Sequence, residues 1–268
     1  MADDVAFTGS VPELYDRVMV PLVFREPAAS LARRVASLTP NDIVETAAGT
    51  GALTAALLDA CPGAEVLATD LNSPMLDRAE RWLADRGRVR FRQADALDLP
   101  VADASCDVVV CQFGVMFFPD RVLGHREAHR VLRPGGSLLF SVWDSLATND
   151  FARVVDAAVQ ELAGDDSLDF MGRLPHGYHD PARIEDDVAR AGFTAVAIER
   201  VSGTSTADVH DIAAGYCQGT PLRAAIEAHP RVSPAEATRV AEEALRREFG
   251  AGVLTGRTGW FEVAARAG

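Results

Sequence analysis

Short β-branched or apolar runs, Asp42 to Thr46, Glu65 to Asp70, Val89 to Gln93, Asp107 to Gln112 and Ser137 to Trp143, alternate with stretches of helical period. This alternation constrains the fold more than any other feature, because strands and helices that follow one another at such spacing build a parallel sheet with helices on both faces. Leu31, Val35 and Leu38 give one helical stripe, and Met75, Ala79, Trp82 and Leu83 give another. Ser73 and Pro74 supply an N-cap and a first-turn proline for the second helix.

After Trp143 the rhythm changes. Phe151, Val154, Val155, Ala158 and Leu162 predict a helix closed by Gly164, followed by a polar loop through His179. Asp180-Pro181 caps a helix running to Ala191, and a strand follows from Thr194 to Val201. Ser233-Pro-Ala-Glu236 has the form of a capping box before Val240, Ala244, Leu245 and Phe249. A final strand, Gly259 to Ala265, is expected to insert antiparallel beside the previous one.

Composition sets outer bounds. The chain has 268 residues, 48% of them apolar, enough for a sizeable core. Its formal net charge of -13 repels phosphate backbones and anionic lipid, which disfavours nucleic acid as a partner. No apolar stretch is long enough for a membrane span, and Met1-Ala-Asp-Asp4 lacks the basic and apolar regions of a signal peptide, so a cytoplasmic protein is expected. Cys61, Cys106, Cys111 and Cys217 form no C-x-x-C pair, which predicts reduced thiols and no zinc site.

The stretch Ile43 to Thr54, "IVETAAGTGALT", leads from a strand through a small-residue turn into a helix. Free backbone N–H groups and the positive end of a helix dipole at such a turn receive ligands. The dinucleotide fingerprint is incomplete, since Thr54 stands at the third glycine position. Asp70, about twenty residues on, suits a ribose and still fits a nicotinamide dinucleotide. Asp95, with the Ala96 N–H beside it, suits an adenine edge, and Glu45 adds a third carboxylate, which favours a cationic ligand over a pyrophosphate.

The motifs "VETAAGTG", "ATDLNSPML", "RQADALDLP", "DVVVCQFGVMFFPD" and "RVLRPGGSLLFSVWD", in this order over Asp42 to Asp144, resemble the class I S-adenosylmethionine-dependent methyltransferases. Among these the chain is most similar to the small-molecule group that includes the ubiquinone and menaquinone C-methyltransferases. The resemblance implies an α/β fold: a doubly wound, Rossmann-like, seven-stranded and mostly parallel sheet with an antiparallel last strand and helical cap insertions. It implies a single domain over 1–268, with a cofactor-binding core at 30–144 and insertions at 145–192 and 203–256 that form a substrate cap. The cofactor would be S-adenosylmethionine, converted to S-adenosylhomocysteine, and the partner a small, hydrophobic or aromatic acceptor methylated at O, C or N. A homodimer is admitted; a membrane or metal is not.

Carried over residue by residue, the resemblance gives Glu45, Ala47, Gly49 and Gly51 to the methionine part of the cofactor. Asp70 takes the ribose hydroxyls, Leu71 the adenine face, and Asp95 with Ala96 the adenine edge. Cys111 and Phe113 lie near the transferable methyl, and Tyr15 closes over the methionine carboxylate. Ala47 stands where the family has its first glycine, so that strand end is expected to avoid positive φ. The absence of an Asn/Asp-Pro-Pro-Tyr/Phe pattern at Cys111-Gln112-Phe113-Gly114 argues against a nucleobase or protein-glutamine acceptor.

Methyl transfer from a sulfonium is an in-line displacement with a neutral leaving group, so the protein's task is alignment, plus a base where the acceptor must shed a proton. "PHGYHD" offers His176 and His179 as candidate bases, with Tyr178 beside a substrate. Met116, within an exposed apolar run Val115 to Phe118, and Trp143 are expected at the acceptor wall. His125 and His129 are expected at the surface. Two other readings stay open: a protein of the same fold that binds the cofactor without methyl transfer, and a nicotinamide-dependent oxidoreductase.

Overall fold

The computed structural model describes residues 11–164 and 168–268. In chain order its elements are α1 (Val11–Leu14), a π-helical stretch (Tyr15–Phe24), α2 (Arg25–Ala36), β1 (Asp42–Thr46), α3 (Ala52–Ala60), β2 (Glu65–Asp70), α4 (Ser73–Leu83), β3 (Val89–Gln93), β4 (Cys106–Gln112), α5 (Arg121–Val131), β5 (Leu132–Trp143), α6 (Asp150–Ala163), α7 (Phe170–Arg173), α8 (Pro181–Arg190), β6 (Phe193–Asp208), α9 (Val209–Gln218), α10 (Leu222–Ala228), α11 (Pro234–Phe249) and β7 (Val253–Ala267).

The strands form one seven-stranded sheet in the order β3-β2-β1-β4-β5-β7-β6. β1 pairs in parallel with β2 on one side and β4 on the other, and β7 runs antiparallel to β5, with Trp143 opposite Trp260. The winding therefore reverses between β1 and β4. In an open sheet of this kind the carboxyl ends of those two strands are where a ligand binds.

The chain divides into two compact units. The first, Arg25–Trp143 with Tyr178–Val201 and Trp260–Gly268, holds β1 to β5 and the parts of β6 and β7 nearest the core. Its main core packs Leu31 and Val35 of α2 and Leu53, Leu57 and Leu58 of α3 onto Ile43, Val66, Val108, Val110 and Leu139 of the strands. Each such side chain taken fully out of water stabilises the fold by about 2 kcal/mol. The ends of α2 and α4 depart from the expected stripes, since Leu38 and Trp82 are exposed. The N-cap position of α4 is Asn72 rather than Ser73, and its side chain makes no capping bond. Asp180 does cap α8, accepting the Ala182 N–H with Pro181 in the first turn.

The second unit comprises the described residues of 11–24, 144–177 and 202–259. α6, α9 and α11 pack on one another there. Gly164 ends α6 in the left-handed region, and Ser233 caps α11 by accepting the Glu236 N–H at 3.2 Å. Asn149 ties the start of α6 to β7: its amide donates to the Gly259 carbonyl and its carbonyl accepts the Gly259 N–H, both at 3.1 Å. α9 lies close to the π-helical stretch, since a Cβ on Gly215 would sit 2.8 Å from Val18. The polar segment before His179 contains the single-turn α7, and β6 and β7 are both longer than their sequence patterns indicate; along most of β6 neither face is buried, so no apolar alternation marks its extent.

Candidate active site

The turn after β1 is built from three left-handed residues: Ala47 at φ 53, Gly49 at φ 57 and Gly51 at φ 87. The expectation that Ala47 avoids positive φ is corrected here. A Cβ on Gly114 would stand 2.4 Å from the Ala47 Cβ, so the chain just after β4 approaches the end of β1 closely and glycine there leaves room for the alanine side chain.

Asp70 closes the turn from the adjacent strand. Its Oδ2 accepts the Gly49 N–H and its Oδ1 the Asn72 N–H, each at 2.8 Å. Burial pushes its pKa up while these bonds pull it down. Oδ1 also receives the Asn72 side-chain amide at 3.4 Å, while Oδ2 keeps a lone pair for a hydroxyl. Leu71, next along, is 52% exposed, with its carbonyl held by the Gln93 side chain at 2.8 Å. Asp95 is exposed beyond the end of β3, and its Oδ1 accepts the Leu97 N–H at 2.9 Å, with Ala96 between them half-buried. A carboxylate flanked by an exposed apolar side chain and a glycine turn fits a nucleoside.

Glu45 differs from expectation. It is 1% exposed, so it is no open carboxylate of a pocket, and its Oε2 accepts the Thr54 hydroxyl at 2.6 Å behind the turn. Burial, with Asp70 nearby, raises its pKa to about 8, and the group carries a proton at neutral pH. Thr54, which breaks the dinucleotide fingerprint, thus joins the start of α3 to the end of β1.

At the end of β4, Cys111 is buried and Phe113 takes φ 53 with its N–H on the Ser141 carbonyl at 3.0 Å. The Phe113 ring stacks face to face on Trp143, centroids 3.7 Å apart and planes 5° from parallel. Met116 does not form an exposed wall with its neighbours: it is fully buried, which corrects that expectation.

Two further corrections concern α5 and α8. Tyr178 is fully buried, donates to Asp187 Oδ2 at 3.0 Å and carries the Arg121 guanidinium 4.4 Å above its ring, so it packs helices and has no surface for a substrate. His125 is 1% exposed rather than at the surface, lies 5.1 Å from the Phe140 ring, and is held neutral, its pKa lowered to about 4 by burial. His129 is half-buried, edge-on to Phe193. A polar residue on a buried helix face leaves no periodic trace, and none of these was legible.

His179 is exposed beside the Asp180 cap. His176 is buried in the helical unit, and its Nδ1 bonds the Asp144 main-chain oxygen at 2.7 Å. A carbonyl only accepts, so Nδ1 carries a proton. Tyr15 belongs to the same unit and stacks on Phe24 at 4.9 Å. Among the described residues no group of His, Cys, Asp or Glu could hold a metal ion, and no helix is long and apolar enough to cross a membrane.

A doubly wound sheet with a glycine turn at its switch point is the architecture of nucleotide- and nucleoside-binding α/β proteins, and comparison with known proteins identifies the family. A family model described as a methyltransferase domain matches residues 44–140. The demethylmenaquinone methyltransferase of Thermus thermophilus is 43% identical over 157 residues, 58% of this chain and 68% of that protein. A ubiquinone/menaquinone biosynthesis C-methyltransferase of Azotobacter vinelandii is 32% identical over 176 residues, 61% of this chain and 70% of that protein. Among solved structures, Haemonchus contortus phosphoethanolamine N-methyltransferase 2 in complex with S-adenosyl-L-methionine superposes with a TM-score of 0.59 at 13% identity, over 96% of this chain and 56% of that one, a likeness of fold.

The chain belongs to the class I S-adenosylmethionine-dependent methyltransferases. It is an enzyme that uses S-adenosylmethionine to methylate a small molecule.

Proposed function

We propose that the acceptor is a flat, apolar molecule, with a hydroxylated aromatic or quinol ring as the best fit, and that methyl goes to a ring carbon or its oxygen. The Phe113–Trp143 stack supports this reading as an apolar aromatic lining: the rings are buried against each other at the carboxyl ends of β4 and β5, surroundings that suit a flat apolar molecule better than a charged amine. The names of the Thermus and Azotobacter relatives support it. The net charge of -13 supports a small molecule over a nucleic acid. Four buried free thiols support the cytoplasm as the compartment.

In this reading Asp70 binds the ribose hydroxyls, Leu71 lies on the adenine face, and Asp95 with Ala96 takes its edge. The backbone at Ala47, Gly49 and Gly51 receives the methionine part, with Glu45 acting behind the turn, and Cys111 and Phe113 border the methyl. Bound S-adenosylmethionine supplies an electrophilic methyl on a good leaving group. The protein orients the acceptor and excludes water.

The test is S-adenosylhomocysteine formation across reduced naphthoquinols, catechols and primary amines under anaerobic conditions. Turnover with the quinols or catechols supports the proposal. Turnover with amines alone overturns it.

A further inference from the structure

Trp82 is an unusual exposed side chain. It sits on α4 beside the buried stripe of Met75, Ala79 and Leu83, and it is 47% exposed, yet its indole N–H donates to the Thr50 carbonyl at 2.8 Å. Thr50 lies between the two glycines of the turn. The helix therefore reaches across to the main chain of the turn with a side chain whose ring it leaves half in water.

The peptide between Thr50 and Gly51 is where such a hold matters. Its N–H belongs to Gly51 and donates to the Ala48 carbonyl at 3.0 Å, while its carbonyl accepts from Trp82. Glycine at φ 87 permits a peptide to flip at little steric cost, and bonds on both ends of one peptide plane oppose the flip. Two peptides earlier, the Gly49 N–H is held by Asp70. The face of α4 seals the remaining side: a Cβ on Gly51 would meet Leu83 at 2.8 Å and Ala79 at 3.0 Å, and one on Gly49 would meet Met75 at 3.7 Å. The turn is thus gripped at two points by one β-strand-helix segment, by Asp70 where that segment leaves the sheet and by Trp82 near the end of its helix.

We propose that Trp82 is a positioning residue for the cofactor: its indole N–H fixes the Gly49-Thr50-Gly51 turn in the conformation that receives S-adenosylmethionine. The inference rests on the assignment of that turn to the cofactor. Trp82 touches the main chain of the turn and acts through it.

The experiment titrates S-adenosylhomocysteine into the purified full chain, its Trp82→Phe variant and its Asp70→Asn variant by calorimetry. Phenylalanine keeps an aromatic ring on α4 and deletes the donor. A hydrogen bond of this kind is worth about 1 kcal/mol, or roughly a fivefold rise in Kd for Trp82→Phe, with Asp70→Asn weaker still. Wild-type affinity in Trp82→Phe with weakened Asp70→Asn overturns the role of Trp82 alone. Wild-type affinity in Asp70→Asn overturns the assignment of the turn. A measurement on the wild-type chain covers the case of a poorly folded variant: exchange of the Trp82 indole proton should slow at least several-fold when S-adenosylhomocysteine is bound, a change that a purely structural bond does not show. Equal exchange with and without the ligand overturns the proposal.

Discussion

Asp70 Oδ2 accepts the backbone N–H of Gly49 at 2.8 Å, so the carboxylate that fits a ribose is already oriented by the turn it would serve. Preorganisation of this kind removes ordering cost from binding. Asp70→Asn keeps the shape but offers one acceptor in place of two. Its Kd for S-adenosylmethionine should rise at least about tenfold, with a stability loss of about 1–2 kcal/mol from the weakened turn, measured by calorimetry and urea unfolding.

Glu45 makes stability fall as pH rises. Its pKa in the folded protein is about 8, above the ordinary glutamate value of 4.5, so the folded state holds a proton that the unfolded chain releases. The stabilising contribution is full below about pH 4.5 and is lost progressively up to about pH 8, with a slope of at most about 1.4 kcal/mol per pH unit. Glu45→Gln should remove that slope. Parallel unfolding curves for both proteins between pH 5 and 8 would refute the assignment.

His125 acts in the opposite sense. Its pKa falls from the usual 6.5 to about 4 in the folded protein, so the unfolded state binds the extra proton and acid destabilises the fold through this window. Its Nε2 is also buried without a partner. His125→Leu should change stability at pH 7 by less than about 1 kcal/mol and gain on the wild type by about 1–3 kcal/mol as pH drops toward 4.5. Denaturant midpoints at pH 7, 6 and 5 decide it; a constant difference between the proteins counts against a titrating His125.

Trp143→Ala removes one ring of the stacked pair. With a reduced naphthoquinol as acceptor, kcat/KM should fall about tenfold or more, while Trp143→Phe retains most of it. Cofactor affinity should stay within about twofold in both. If alanine and phenylalanine behave alike, the aromatic face has no part in acceptor choice.

The sheet was legible because β1 to β5 are short, buried and apolar, and caps such as Asp180 and Ser233 declare helix starts by side-chain type. The candidate site was legible only where residue type and position coincide, as at Asp70. Ala47 carried the opposite signal: alanine argues against a left-handed turn, and the sequence does not reveal that Gly114, lacking a Cβ, leaves room for its side chain there. Glu45 looked like a pocket charge because sequence gives the residue and not its burial. Met116 and Tyr178 were placed by proximity to strand ends, yet the chain after those ends turns inward. Trp82 fitted its helical stripe by period and fell outside it by a fraction of a turn, which is where the bond to Thr50 became available.

The four cysteines lead to something practical. All are buried free thiols, and burial pushes Cys111 up to about 11 and Cys106 and Cys217 up to about 12, so little thiolate forms near neutrality. An alkylating reagent then waits for the protein to open, and its rate counts openings rather than surface reactivity. Cys217 belongs to the helical unit and the other three to the sheet unit, so mass spectrometry of the labelled peptides gives each unit its own clock.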